Sequence, residues 1–303
     1  MTLSAWLPRL RLLLVMALVG LAWLAPTWPM ARKLPRLLLV VDITQSMNVE
    51  DYAIAGLPKD RLSMVKTSLL KLLPDLPCQS EIGLALFTNK DTFLLFEPLP
   101  LCEHYAELSE AINRIDWRMA WAADSHVARG LFKSLRELGA QDAPPALVFF
   151  TDGLQTPSRA RTPPFLLEAN KVPGLIIGVG QTEASPVPEY NQQGEKIGYW
   201  HRHEAESLPG KPPGSPVLYQ SPMDELALQT LAEKTGLYYH HLQGPEPLQQ
   251  VLTTPALLHT QTVPVSLVPW LAGLALIIWL APLLPICVLK HRISIWTILP
   301  ARR

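Results

Sequence analysis

The stretch LLLVVDITQSMNVEDY, Leu37 to Tyr52, ends an apolar run in Asp42 and follows it with hydroxyls at alternate positions, Thr44 and Ser46. Farther along, a second apolar run, ALVFF at Ala146 to Phe150, ends in Thr151, Asp152 and Gly153. If the two runs are neighbouring strands, both carboxylates arrive at one edge of a sheet. Carboxylates held close together repel, and each then resists ionisation. A divalent cation between them removes that conflict, and the hydroxyls of Thr44 and Ser46 add neutral hard oxygens. A ligand set made only of hard oxygens suits Mg2+, Mn2+ or Ca2+, with Mg2+ the first choice, and does not suit zinc or copper. The plainer alternative is that both Asp residues cap helices or solvate loops and that Thr44 and Ser46 are turn residues.

Positioning such groups requires a scaffold, and the order of elements predicts one. Leu37 to Val41 is all apolar, as expected of a strand covered on both faces. Asp60 to Leu73 has helical spacing of apolar residues. Glu81 to Phe87 and Thr92 to Phe96 read as a hairpin turning through TNKD. Helices are expected over Glu103 to Ile115 and Val127 to Leu138, and buried strands over Ala146 to Phe150 and Gly174 to Val179. Ser221 is expected to cap a helix running to about Thr235, with a last strand in LYYHHL. This alternation predicts an α/β fold: a doubly wound, mostly parallel sheet with one antiparallel edge strand and helices on both faces. In such sheets function collects at the carboxyl ends of the strands, where Asp42 and Asp152 fall. Residues 181–220 interrupt the alternation and read as an inserted hairpin turning at Gln192 to Gly194. Glu50 and Asp51 read as a solvated loop.

The ends of the 303-residue chain are apolar. Leu12 to Ala31 carries no charge and is long enough to span a bilayer, as an uncleaved anchor or as the centre of a signal peptide. Val263 to Leu289 is longer and also uncharged, and Lys290, Arg292, Arg302 and Arg303 follow it. No Lys or Arg lies between Lys234 and that segment. The asymmetry predicts a cytoplasmic tail over residues 290–303 and a domain on the periplasmic side of a Gram-negative inner membrane. With 26 basic and 26 acidic residues the chain has no net charge, which gives no support to a nucleic-acid partner.

DITQS resembles the D-x-[ST]-x-S signature of von Willebrand factor A (VWA) domains, and TDG resembles their third metal-site loop. The resemblance covers roughly Pro35 to Leu252 and implies a VWA domain over residues 35–255; the apolar ends place an N-terminal transmembrane anchor or signal peptide over residues 1–34 before it and a transmembrane helix over 263–289 after it. It implies a metal-ion-dependent adhesion site (MIDAS). There the hydroxyls of the first loop touch the cation, the Asp residues often act through water, and a ligand protein offers a carboxylate. The second loop of the family supplies a Thr. The matching stretch AADSHVARGL places Ser125 there, with Asp124 beside it as an alternative ligand. More narrowly, SMNVEDY, DRLSMVK and SPMDELALQTLAEKTGLYY resemble bacterial membrane proteins of the aerotolerance (Bat) type. DITQSM, TFLLFEPL and RMAW are similar to the MxaL-like proteins of methanol-oxidation gene clusters. The resemblance implies a binding function in assembly or metal loading of a periplasmic enzyme such as methanol dehydrogenase, alongside other membrane or periplasmic assembly proteins.

Other chemistries find less support in the sequence. A metal-dependent hydrolase or phosphotransferase using Asp42 is one alternative, but a phosphotransferase usually wants a second acid two residues on, where Thr44 stands. No G-x-x-x-x-G-K-[ST] loop or G-x-S-x-G elbow is present. A structural membrane protein with a degenerate site is the other alternative. His201 and His203 share a strand face, but no third ligand is placed for them. Cys78, Cys102 and Cys287 have no metal-binding spacing. Cys78 and Cys102 are nearly equidistant from the hairpin turn and so are candidates for a disulfide in an oxidising compartment, or else two separate buried thiols.

Overall fold

In the computed structural model of the chain, which describes residues 6–122, 124–156, 162–191, 193–202 and 217–281, the elements begin with α1 (Trp6–Trp23), β1 (Thr27–Asp42), α2 (Arg61–Leu72), β2 (Glu81–Thr88) and β3 (Asp91–Pro100). They continue with α3 (Tyr105–Arg114), α4 (Val127–Leu138), β4 (Ala146–Thr151) and β5 (Gly174–Val179). Six short strands follow: β6 (Ser185–Pro186), β7 (Pro188–Tyr190), β8 (Lys196–Tyr199), β9 (His201–Arg202), β10 (Val217–Leu218) and β11 (Gln220–Ser221). The last elements are α5 (Glu225–Thr235), β12 (Tyr238–Leu242), α6 (Glu246–Leu252), β13 (Leu258–Ser266) and α7 (Val268–Leu280).

The main sheet runs β12-β5-β4-β1-β2-β3, with β13 also paired to β1. The pairs of β1 with β2 and β4, and of β5 with β4 and β12, are parallel, while β3 is antiparallel to β2. This is the mixed α/β sheet that the alternating pattern predicts. Successive residues of β1 point to opposite faces. Leu37, Leu39 and Val41 pack with Met64, Val65 and Leu69 of α2, whereas Leu38 and Val40 join Leu131 and Leu135 of α4 and Leu228 of α5. Both faces are covered, which is why this strand carries no polar alternation.

Local chemistry sets the helix starts. The Asp60 carboxylate accepts from the Ser63 N–H at 2.8 Å and starts α2. The cap of α5 is Asp224, which accepts from the Ala227 N–H at 3.0 Å, and not Ser221. Ser221 lies instead in β11, paired with Ser185, and its side chain is drawn into a buried polar network described below.

The hairpin β2–β3 turns at Asn89, whose φ of 59° lies in the left-handed region that Asn tolerates. Its open end pairs Glu81 with Pro100 and brings Cys78 and Cys102 into a disulfide with Cα atoms 4.9 Å apart. The bridge closes a loop with a sequence separation of 24, so reduction is expected to cost about 3 kcal/mol. Denaturant titrations with and without reductant measure that cost; identical midpoints would contradict it.

Two compact units divide the chain: Lys33–Thr260, and the described parts of Met1–Arg32 with Gln261–Arg303. The terminal segments differ from the expected spans. Leu12 to Ala31 is not one helix, because α1 ends at Trp23 and β1 begins at Thr27. The chain turns around Ala25 and Pro26, and the Pro26 carbonyl accepts from the Leu267 N–H at 2.9 Å. Val263 to Leu289 likewise begins as strand β13 and continues as α7 to Leu280. The rest of that span from 282 onward, Cys287 and the basic tail lie outside the described residues. Among the described residues, no helix is long and apolar enough to cross a membrane.

Candidate functional site

The sheet changes winding direction between β1 and β4. From β1 the chain proceeds to β2 on one side, and from β4 to β5 on the other. The carboxyl ends of these two strands therefore bound a crevice. Val41 lies opposite Phe150, so Asp42 and Thr151 leave the sheet side by side, and Asp152 follows. Gly153 then turns at φ 76°, where a Cβ would meet the Leu228 side chain at 2.7 Å. The glycine of TDG is thus set by a left-handed turn packed against α5.

Asp42 is fully buried. Its Oδ1 accepts from the Thr44 N–H at 2.9 Å and the Thr44 hydroxyl at 2.7 Å, and its Oδ2 accepts from the Thr151 hydroxyl at 2.6 Å. Thr44 Oγ1 and Ser46 Oγ are 3.3 Å apart. Burial, and then the negative charge of Asp152, push the Asp42 carboxyl up to about 7, against the opposing hydrogen bonds from Thr151 and Thr44. Asp152, also fully buried, is raised by burial, with the Arg61 charge and hydrogen bonds from Ser46 and the Leu154 N–H opposing.

The second loop reaches the same place through backbone pairing. Ser125 exchanges both backbone hydrogen bonds with Thr156, at 3.0 and 2.8 Å, and the His126 N–H donates to the Asn89 carbonyl at 2.5 Å. Ser125 is buried, and its Oγ has no hydrogen-bond partner among the described residues. Asp124 beside it is exposed. Thr44, Gln45, Ser46 and Ser125 line a cavity of about 230 Å³, walled on the other side by Leu154, Val187, Trp200 and Tyr219. Asp42, Thr44, Ser46, Ser125 and Asp152 therefore converge, with hydroxyls toward the cavity and carboxylates behind, and Asp124 is not among the lining residues.

The residue types fit a hard cation. A hydroxyl that donates its proton to a carboxylate keeps its lone pairs for a metal, and Thr44 is so arranged. The unpartnered Ser125 Oγ is a buried acceptor in need of a partner. Among the described residues no group of three or more His, Cys, Asp and Glu side chains could hold a metal, so any cation here depends on hydroxyl oxygens.

Arg61 is the residue behind the candidate site that the sequence reading does not place there. Its side chain is fully buried. Nη1 donates to Asp152 Oδ2 at 2.8 Å, and Nε and Nη2 donate to Asp51 Oδ2 at 2.9 and 2.6 Å. Nη2 also donates to the Ser221 carbonyl at 2.8 Å. Asp51 is therefore not a solvated loop residue: its side chain is 2% exposed and ion-paired, and it accepts the Gln181 N–H at 2.8 Å. Glu50 pairs with Lys196 at 2.8 Å. Gly180, at φ 107°, leaves room for the guanidinium, which a Cβ there would strike. A signal existed in the sequence. Arg61 sits at the same helical phase as Met64, Val65, Ser68 and Leu72, on the buried stripe of α2. Of the histidines noted, His201 borders the cavity and His203 lies outside the described residues.

An open, doubly wound sheet with an oxygen-lined crevice at its switch point defines the class of the protein as an α/β binding or catalytic domain. Residues 37–155 match the family model of the von Willebrand factor type A domain. None of the curated proteins compared with the sequence matches it. Among solved structures, the fold is similar to BatB from Bacteroides thetaiotaomicron, with 16% identity and a TM-score of 0.52 over 73% of this chain and 96% of that one. An aerotolerance-related membrane protein from Bacteroides fragilis is similar at 15% identity and a TM-score of 0.49, over 73% of this chain and 98% of that one.

Proposed function

We propose that the domain binds a divalent cation through Thr44, Ser46 and Ser125, with Asp42 and Asp152 acting on it from behind, and uses it to hold a carboxylate of another protein. The observation that carries this reading is the unpartnered, buried Ser125 Oγ on the same cavity as the hydroxyls of Thr44 and Ser46. Bound there, the cation supplies an electrophilic position that a carboxylate of the partner fills. The residues of the chain orient it: Thr44 is fixed by Asp42, Asp42 by Thr151, and Asp152 by Arg61. Both oxygens of Asp42 and both of Asp152 already accept hydrogen bonds, which favours water-mediated rather than direct contact for the carboxylates. The proposed action is binding; no bond need break.

The apolar ends support attachment to a membrane, and the Lys and Arg asymmetry at the C-terminal end supports a periplasmic domain. Reporter fusions at the C-terminus test the topology: active alkaline phosphatase there contradicts it. The likeness of DITQSM, TFLLFEPL and RMAW to MxaL-like proteins supports a role in assembling or metal-loading a periplasmic enzyme, methanol dehydrogenase being the specific proposal.

Thermal unfolding of the full-length chain in detergent tests cation binding. At a hundredfold excess over Kd, Mg2+ or Mn2+ is expected to add about 2.7 kcal/mol of stability. Combined Thr44→Ala and Ser125→Ala substitutions are expected to remove that gain. An unchanged gain in the double variant would rule out the assigned ligands.

A further inference from the structure

The cavity has two unlike halves. Its floor is the hydroxyl cluster, and its opposite wall, where Leu154, Val187, Trp200 and Tyr219 stand with Thr156 and His201 among them, is mostly apolar and comes largely from the insert between β5 and α5. That wall is built into the fold. Trp200 donates its N–H to the Val187 carbonyl at 2.9 Å, Tyr219 donates to the Trp200 carbonyl at 2.7 Å, and Val187 donates to the Tyr219 carbonyl at 3.0 Å. Arg61 grips the insert at Ser221, Lys196 ties it to Glu50, and the Tyr190 ring packs on Trp117 with centroids 5.5 Å apart. The apolar face is therefore held over the hydroxyls by an ion pair, the Arg61 hydrogen bond, ring packing and backbone bonds, while Trp200 itself stays 40% exposed.

Charge and size narrow the occupant. With the carboxylates ionised, Asp42, Asp51 and Asp152 stand against one guanidinium, Arg61, so the buried charges sum to −2. That field repels an acidic ligand, and a divalent cation only brings it to neutral. A neutral site offers little long-range attraction, so contact with the apolar wall must supply much of the selectivity. A cavity of about 230 Å³ is smaller than the roughly 300–1,000 Å³ of small-molecule pockets and suits a side chain.

From this we infer, resting on the metal-bridged reading above, that the partner presents an exposed loop in which an acidic residue is followed by a bulky apolar residue. The carboxylate meets the cation, and the apolar side chain seats against Trp200 and Val187.

The test uses the full-length chain in detergent, loaded with Mn2+, and two blocked peptides, acetyl-Gly-Asp-Gly-amide and acetyl-Gly-Asp-Leu-amide. Paramagnetic broadening of the peptide resonances reads binding, and water-proton relaxation reads Mn2+ affinity. The leucine peptide is expected to bind roughly tenfold tighter or more. Trp200→Ala, and Trp200→Gln as a bulkier second variant, are expected to bring the two peptides within about twofold while leaving Mn2+ affinity unchanged. Equal binding of both peptides by the Mn2+-loaded parent chain overturns the inference and leaves the metal reading standing. A leucine preference that survives both variants also overturns it. Failure to bind Mn2+ at all overturns the metal reading and this inference with it.

Discussion

Replacing Arg61 with alanine is expected to destabilise the domain by about 3–5 kcal/mol. The guanidinium is fully buried and is ion-paired at 2.6 Å to Asp51 and at 2.8 Å to Asp152. Its removal leaves two buried carboxylates without their cation, together with the Ser221 carbonyl without its donor. The loss is set by the stranded charges more than by the value of the ion pairs themselves, because a buried pair roughly offsets its own desolvation. Adding Asp51→Asn to Arg61→Ala should therefore recover part of the loss, since one stranded charge is gone. Arg61→Lys should fall between, because an ammonium cannot reproduce the fork that spans both carboxylates. Urea titrations of the variants check these expectations. A loss under about 1 kcal/mol for Arg61→Ala would show that the network is not buried as described.

In the absence of divalent cations, stability is expected to fall as pH rises from about 4 to about 7. The Asp42 carboxyl is raised from its ordinary 3.8 to about 7. Across that window the folded state keeps a proton that the unfolded state has lost, so the stability slope with pH is negative. The stabilisation is complete below the unfolded value and is lost as pH climbs to the folded one. The whole difference is worth roughly 4 kcal/mol. Asp152 is raised by the same burial and acts in the same direction. A divalent cation should oppose the trend by taking the place of the proton, so its stabilising effect should grow over the same window. Asp42→Asn should flatten the pH profile and make the metal-free protein more stable near neutrality. Denaturation in EDTA at a series of pH values decides the matter. A profile that rises through this range, or that Asp42→Asn leaves unchanged, would contradict the assignment of Asp42 as a buried carboxyl awaiting a cation.

Much of this protein is written locally in its sequence. The all-apolar Leu37 to Val41 required cover on two faces, and the alternation of such runs with helical spacing required a parallel, doubly wound sheet. A strand ending in Asp42 with Thr44 and Ser46 behind it, and another ending in TDG, placed hard oxygens at the carboxyl edge. Hydrophobic periodicity and residue type carry that information, and both are visible without coordinates. Pairings remote in sequence are not. Arg61 and Asp152 are 91 positions apart and Arg61 and Ser221 are 160 apart, and nothing in DRLSMVK announces that the cation on the apolar stripe of α2 has its counter-charges waiting. The choice of Ser125 over Asp124 for the cavity follows from its ladder with Thr156, a contact between loops that only folding brings together. The terminal segments show the same limit from the other side. Apolar composition alone predicts a continuous span, but pairing of β1 with β13 draws Thr27 onward and Val263 to Ser266 into extended strands. Backbone hydrogen bonding between distant segments there overrides what the side chains suggest one residue at a time.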